Sequence, residues 1–147
     1  MASSKIFFNS ELPIMIIRKA KLLDAPAIAK AHIDAWRNNY KGIVADDFLS
    51  NMDYRKRTER WNKILSQNAS STFVAIENDE ILGFASAGKN RDDNIYKGEL
   101  YSMYMTMRHQ KRGIGLKLIQ TAVDYLLENK MNSMSVWVLK DNPANNF

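Results

Sequence analysis

Gly113 and Gly115 lie between an apolar strand-like run and a strongly periodic helical one, in the segment Gln110-Lys111-Arg112-Gly113-Ile114-Gly115. A strand that turns directly into a helix leaves the first-turn amides without internal partners and places the positive end of the helix dipole beside them, so the junction can hold an anion. Glycine lets a ligand approach such a backbone closely. Arg108, Lys111, Arg112 and Lys117 surround the turn with positive side chains, and a long, doubly charged anion such as a pyrophosphate would use several amides at once. Two glycines at a helix start also arise by chance, so a plain structural turn is an equal reading of the motif alone. The P-loop is excluded because no Gly-Lys-Ser/Thr follows, and the dinucleotide fingerprint lacks its first glycine.

The elements that would position this turn follow from hydropathy patterning. Residues 1–13 read as an extension, mixing Ser3, Ser4, Asn9 and Ser10 with Ile6, Phe7 and Phe8, without the apolar region and cleavage site of a secretory signal. Ile14 to Arg18 is a short, β-branched run with the pattern of a strand buried on both faces. Asp24 offers a helix N-cap, Pro26 sits in the first turn, and Ile28, Ala31, Ala35 and Trp36 recur at helical spacing. His32 lies on or beside that stripe, as a hydrogen-bonded core-edge residue or a site residue. A second helix places Tyr54, Thr58, Trp61 and Leu65 on one face and leaves Arg55, Lys56, Arg57, Glu59 and Arg60 in water. Thr72 to Ile76 and Ile81 to Ala87 form an antiparallel hairpin around a polar turn. After a polar loop, Lys89 to Lys97, a longer strand runs from Glu99 to Met107. A helix with Leu118, Ile119, Ala122, Val123 and Leu126 inward follows, then a last strand from Ser133 to Leu139. This order of elements gives one mixed-sheet α/β domain without internal repeats.

At 147 residues the chain has the size of one domain able to bury its own core. It contains no cysteine, which excludes disulfides, thiolate metal sites and acyl-cysteine chemistry. The net charge of +5 comes from 21 basic and 16 acidic residues that are mostly interspersed, with no basic run interleaved with aromatics, so nucleic acid is not an expected partner. No apolar run is long enough to cross a bilayer; no metal or membrane partner is expected, and a cytoplasmic location is.

Gln110-x-x-Gly113-x-Gly115 directly after an apolar strand resembles the acyl-CoA pyrophosphate loop of the GNAT superfamily of N-acyltransferases. Other segments agree in the expected order: Ile17-Arg18-Lys19-Ala20 with Asp24-Ala25, Ile81-Leu82-Gly83-Phe84-Ala85, Gly98-Glu99-Leu100-Tyr101, and Val136-Trp137-Val138-Leu139 with Asn142-Pro143-Ala144. Ala35-Trp36-Arg37 through Tyr40-Lys41-Gly42 resembles the acceptor-side helix of the bacterial phosphinothricin and ribosomal-protein-alanine acetyltransferase-like subgroup. The similarity spans residues 14–147. It implies a mostly antiparallel sheet with splayed fourth and fifth strands and helices on both faces, in a domain shortened at its C-terminus relative to the family.

The resemblance further implies acetyl-CoA as cosubstrate and direct transfer of its acetyl group to a primary amine of a small molecule or peptide. Backbone groups of Tyr104, Met105 and Met107 would hold the pantetheine, and Gln110, Lys111, Arg112, Gly113, Ile114, Gly115, Leu116 and Lys117 the pyrophosphate, with Asn142 on the neighbouring strand end. Glu99 becomes the candidate base, acting through water, the amide near Met105 the candidate oxyanion donor, and Trp36 and Tyr40 candidate walls of the acceptor pocket. Met107 stands where relatives often have proline, and Asn145-Asn146-Phe147 where they usually carry a tyrosine, the candidate general acid. A non-catalytic acyl-CoA-binding module is the alternative. Exposed sheet surface at the shortened end would favour self-association as a homodimer. Glu99, Asp46, Asp47, Asp92 and Asp93 could draw in a cationic amine.

Overall fold

The computed structural model describes residues 14–92, 95–106 and 113–138. Five strands form one sheet in the order β1-β2-β3-β4-β5: β1 (Ile16–Lys19), β2 (Ser70–Glu77), β3 (Glu80–Lys89), β4 (Gly98–Met105) and β5 (Met134–Val136). The first four are antiparallel neighbours, and β5 runs parallel to β4. The helices are α1 (Ala25–Asn39), α2 (Asp46–Ser50), α3 (Tyr54–Ser66) and α4 (Ile114–Glu128). Among the described residues no helix is long and apolar enough to cross a membrane.

Alternation along the strands divides the core in two. On one face Ala75, Leu82, Ala85, Ala87 and Leu100 pack against Ile114, Leu118, Ala122 and Leu126 of α4. On the other, Val74 and Phe84 meet Ala25, Ile28, Ala29 and Ala31 of α1 and Trp61 of α3. The expected hairpin is present, and Asn78 and Asp79 turn it with φ of 52° and 61°, the backbone twist that a two-residue connection between twisted strands requires. The last helix also forms as expected, with Ile119 and Val123 half-buried at the edge of its stripe.

Several local expectations are corrected. β1 is an edge strand with Ile14 and Ile16 exposed, so its apolar run does not signify burial on both faces. Asp24 occupies the N-cap position of α1 without capping it. Its carboxylate instead takes two hydrogen bonds from Arg18 (2.7 and 3.0 Å) and one from the Lys21 amide (2.6 Å), closing the turn before the helix. On α3, Tyr54 is exposed, whereas Arg57, assigned to the wet face, is half-buried beside Trp61. β4 and β5 are both shorter than their apolar runs.

Two bulges determine which side chains face which helix layer. Ala75 pairs with Gly83 and Ile76 with Ile81, which leaves Leu82 extra and directs it to α4. Ser86 pairs with Ser102 and Ala87 with Leu100, which leaves Tyr101 extra. An extra residue breaks the alternation locally, so Leu100 and Met103 both face α4 while Glu99 lies on the side of α1 and α3 with Ser102 and Tyr104.

Candidate active site

β4 and β5 stay together for three pairs only, Gly98 with Met134, Glu99 with Ser135 and Leu100 with Val136. Beyond Leu100, β4 continues to Met105 with no strand beside it on that side among the described residues. The Thr106 amide donates to the Leu82 carbonyl (2.9 Å). Backbone groups of successive residues in a strand point to opposite sides. Those of Tyr104 are therefore spent on Phe84 of β3, and those of Met103 and Met105 face the gap that β5 has left. Of the expected backbone contacts, Met105 is open to a ligand and Tyr104 is not. Met103, absent from the sequence expectations, is open as well. The bulge hides this parity from sequence.

The junction into α4 has the expected character. Gly113 holds the N-cap position with φ of 76°, a left-handed conformation that favours glycine. The first intrahelical bond runs from the Lys117 amide to the Gly113 carbonyl (3.2 Å), so the amides of Ile114, Gly115 and Leu116 have no helical acceptor. Among the described residues no side chain caps this end, and no acidic residue lies in its first turn. Gly115 has a packing role: a Cβ there would stand 3.1 Å from Met105 Cε and 3.2 Å from its Sδ. Met107, Gln110, Lys111, Arg112, Asn142 and Asp93 lie outside the described residues.

Glu99 is only 2% exposed. The Arg91 amide donates to its Oε1 (3.1 Å), and the Arg91 Nε (3.1 Å) and Nη2 donate to Oε2. The Arg91 guanidinium also lies 4.2 Å from the centre of the Tyr101 ring, whose hydroxyl donates to the Lys89 carbonyl. The bulged residue thus forms the floor under the arginine that holds Glu99.

On this side of the sheet a cavity of about 320 Å³ opens between α1, α3 and the strands, lined by residues that include His32, Arg57, Arg60, Ser86, Arg91 and Ser102. His32 Nδ1 accepts from Trp61 Nε1 (3.3 Å), and its ring stacks on Tyr104 at 4.9 Å. Burial first, then the charges of Arg57 and Arg60, lower its pKa to about 3. It is a neutral imidazole whose proton is on Nε2. Trp36 and Tyr40 do not line the cavity. Trp36 Nε1 donates to the Tyr104 hydroxyl (2.8 Å), and the Tyr40 ring meets Trp36 edge-on at 4.5 Å, so they reach the site through Tyr104. Burial raises the Tyr104 hydroxyl well above its ordinary value. Asp46 and Asp47 lie exposed on α2, and Asp92 accepts from Trp137 Nε1 (2.9 Å). None of the three lines the cavity.

A sheet whose fourth and fifth strands part beside a glycine-led helix start has the architecture of an acyl-CoA-dependent acyltransferase. The chain belongs to the Acetyltransferase (GNAT) family, whose profile matches residues 30–147. It is 36% identical over 133 residues to the uncharacterized N-acetyltransferase YuaI of Bacillus subtilis (strain 168), covering 89% of this chain and 75% of that protein. The fold is shared with the PaiA N-acetyltransferase of Thermoplasma acidophilum, solved in complex with coenzyme A (TM-score 0.78, 17% identity, 88% of this chain and 82% of that one). It is shared too with a predicted acetyltransferase of Clostridium acetobutylicum solved with acetyl-CoA (TM-score 0.66, 20% identity, 88% and 84%).

Proposed function

We propose that this chain transfers the acetyl group of acetyl-CoA directly to a primary amine of a small molecule or peptide, in the cytoplasm. The observation that carries the reading is the parting of β4 and β5 after Leu100, which leaves the backbone of Met103 and Met105 open, with Met105 packed beside Gly115 at the helix start where the amides of Ile114, Gly115 and Leu116 have no helical acceptor. An extended pantetheine can pair with such an edge as an added strand does. A pyrophosphate suits the helix start, and Lys117 of its first turn, together with Gln110, Lys111, Arg112 and Asn142 in the family reading of the sequence, would hold it.

The neutral amine nitrogen attacks the thioester carbonyl, an N–C bond forms and the C–S bond breaks. The amine proton leaves through water to Glu99, and the departing sulfur takes up a proton to become a free thiol. The Met105 amide faces the gap and is the donor to the carbonyl oxygen, whose charge grows in the transition state. Arg91, which lines the cavity, keeps the buried Glu99 behind it in one orientation, and geometry is the first requirement of a proton acceptor.

Calorimetric titration with acetyl-CoA, run beside 3′-dephospho-CoA and ATP, followed by a thiol-release assay with a panel of amines, tests this. Micromolar binding specific to acetyl-CoA with amine-dependent thiol release is the expected result. Binding without release under any amine would make the chain an acyl-CoA-binding module, and no binding would overturn the reading.

A further inference from the structure

The charge of the cavity is opposite to what the acidic residues Glu99, Asp46, Asp47, Asp92 and Asp93 suggest from sequence. Four of its lining residues are basic in type, but they differ in state. Arg91 is neutralised by Glu99, and His32 carries no charge near neutral pH. Arg57 and Arg60 remain. Among the described residues neither makes an ion pair or a side-chain hydrogen bond, although Arg57 is half-buried. Burial and the charge of Arg60 pull the Arg57 guanidinium below its ordinary value. Removing an arginine from water without an anionic partner is costly, and two of them one helical turn apart on α3 repel each other. A half-buried Arg57 without an anionic partner, with the exposed Arg60 beside it on the same cavity wall, is matched to a ligand that brings the missing negative charge, since the guanidinium fork fits carboxylate and phosphate oxygens in pairs.

The remaining lining fits a small polar molecule. Ser70, Ser86 and Ser102 supply hydroxyls, and Gln67 an amide. Tyr101 and Ser102 belong both to this lining and to the stretch of β4 where β5 departs, so the cavity adjoins the gap. We propose that the cavity is the acceptor subsite and that the acceptor is a primary amine carrying a carboxylate or phosphate, with Arg57 and Arg60 gripping the anion while the amine lies toward the β4–β5 gap. The inference rests on the acetyltransfer reading for its second half and is independent of it for the first, the binding of the anion.

The experiment has two parts for that reason. Binding of phosphoethanolamine and of ethanolamine is measured by calorimetry on the full chain without acetyl-CoA. Thiol release is then measured with acetyl-CoA for phosphoethanolamine against ethanolamine, and for L-alanine against L-alaninamide, each pair differing in the anionic group alone. The expected result is at least tenfold tighter binding of phosphoethanolamine than of ethanolamine, and at least tenfold higher kcat/KM for one or both anionic members. The two pairs tell phosphate from carboxylate. Arg57→Gln and Arg60→Gln should each reduce the preference with the acetyl-CoA Kd unchanged. Arg60 is exposed, so its variant folds even where Arg57→Gln does not, and Arg57→Lys should restore part of the preference. No preference for the anionic member of either pair, a preference for the uncharged or cationic amine, or a preference untouched by both Arg60→Gln and Arg57→Gln would overturn the inference. Selective anion binding with no thiol release from any amine would leave the anion site standing and remove the acetyltransfer reading.

Discussion

Arg91 holds Glu99 from two directions, with its backbone amide on one carboxylate oxygen and its guanidinium on the other. The carboxylate is buried yet fully paired, a condition under which a charge can be kept dry at acceptable cost. Its rotation is stopped, so the proposed proton acceptor is held in one orientation. Glu99→Gln keeps the shape and removes the charge. Its expected effect is a fall in kcat of about a hundredfold or more, within the range for a lost proton acceptor, with acetyl-CoA affinity preserved. An unchanged kcat would remove Glu99 from the chemistry.

Gly113 should be intolerant of a branched side chain. A Cβ there meets nothing within 4 Å, so the penalty is purely conformational, set by φ of 76°. Gly113→Val should cost about 1–2 kcal/mol if the backbone holds, and relief of that strain would turn the free amides of α4 away from their anion. We expect a loss of acetyl-CoA affinity of more than tenfold with the circular dichroism spectrum retained. Equal affinity in the variant would show that this turn does not hold the ligand.

His32 makes stability depend on acidity. Its pKa is lowered from 6.5 to about 3 in the folded chain, so the unfolded chain binds the proton more readily and stability falls as pH drops below about 6.5, down to about 3. The slope can reach about 1.4 kcal/mol per pH unit for a single group. Between pH 6.5 and 5, above the range in which the lowered carboxyl of Asp24 titrates, urea unfolding of His32→Phe should lose this slope. A slope identical to that of the parent would show that the imidazole charges freely in the folded state.

Lys130 ends α4 in the left-handed region, with φ of 63°. The Met131 amide bonds to the Leu126 carbonyl (2.8 Å) and the Lys130 amide to the Leu127 carbonyl (3.0 Å), the paired closure that usually selects glycine at this position. Lys130→Gly should therefore stabilise the chain by about 1 kcal/mol, read as a higher denaturant midpoint at unchanged m value. A lower midpoint would mean that the lysine side chain contributes more than its backbone costs.

The parts of the fold that were legible in sequence depend on local periodicity. The hairpin around Asn78 and Asp79 and the Leu118–Ala122–Leu126 stripe of α4 each declare themselves within a few residues. The turn at Gly113 was legible for the same reason. What was hidden depends on pairing between distant segments. Nothing adjacent to Glu99 announces that Arg91 will close over it, and no local pattern marks Tyr101 as the unpaired residue of its strand. Arg57 is an intermediate case. It stands four residues before Trp61, one turn along the same helix, so its spacing already placed it at the cavity, but its charge favoured solvent.

The extra residue at Tyr101 acts as a parity switch. With it, Glu99 lies on the cavity side of the sheet behind Arg91, and Leu100 faces the α4 core. Deleting one residue between Leu100 and Ser102 would exchange those destinations, carrying the carboxylate among Leu118 and Leu126 and placing a leucine against Arg91. Chain length through this stretch is therefore as much a part of the proposed site as the identity of any side chain, and a single-codon deletion here should invert that site where most single substitutions would only weaken it.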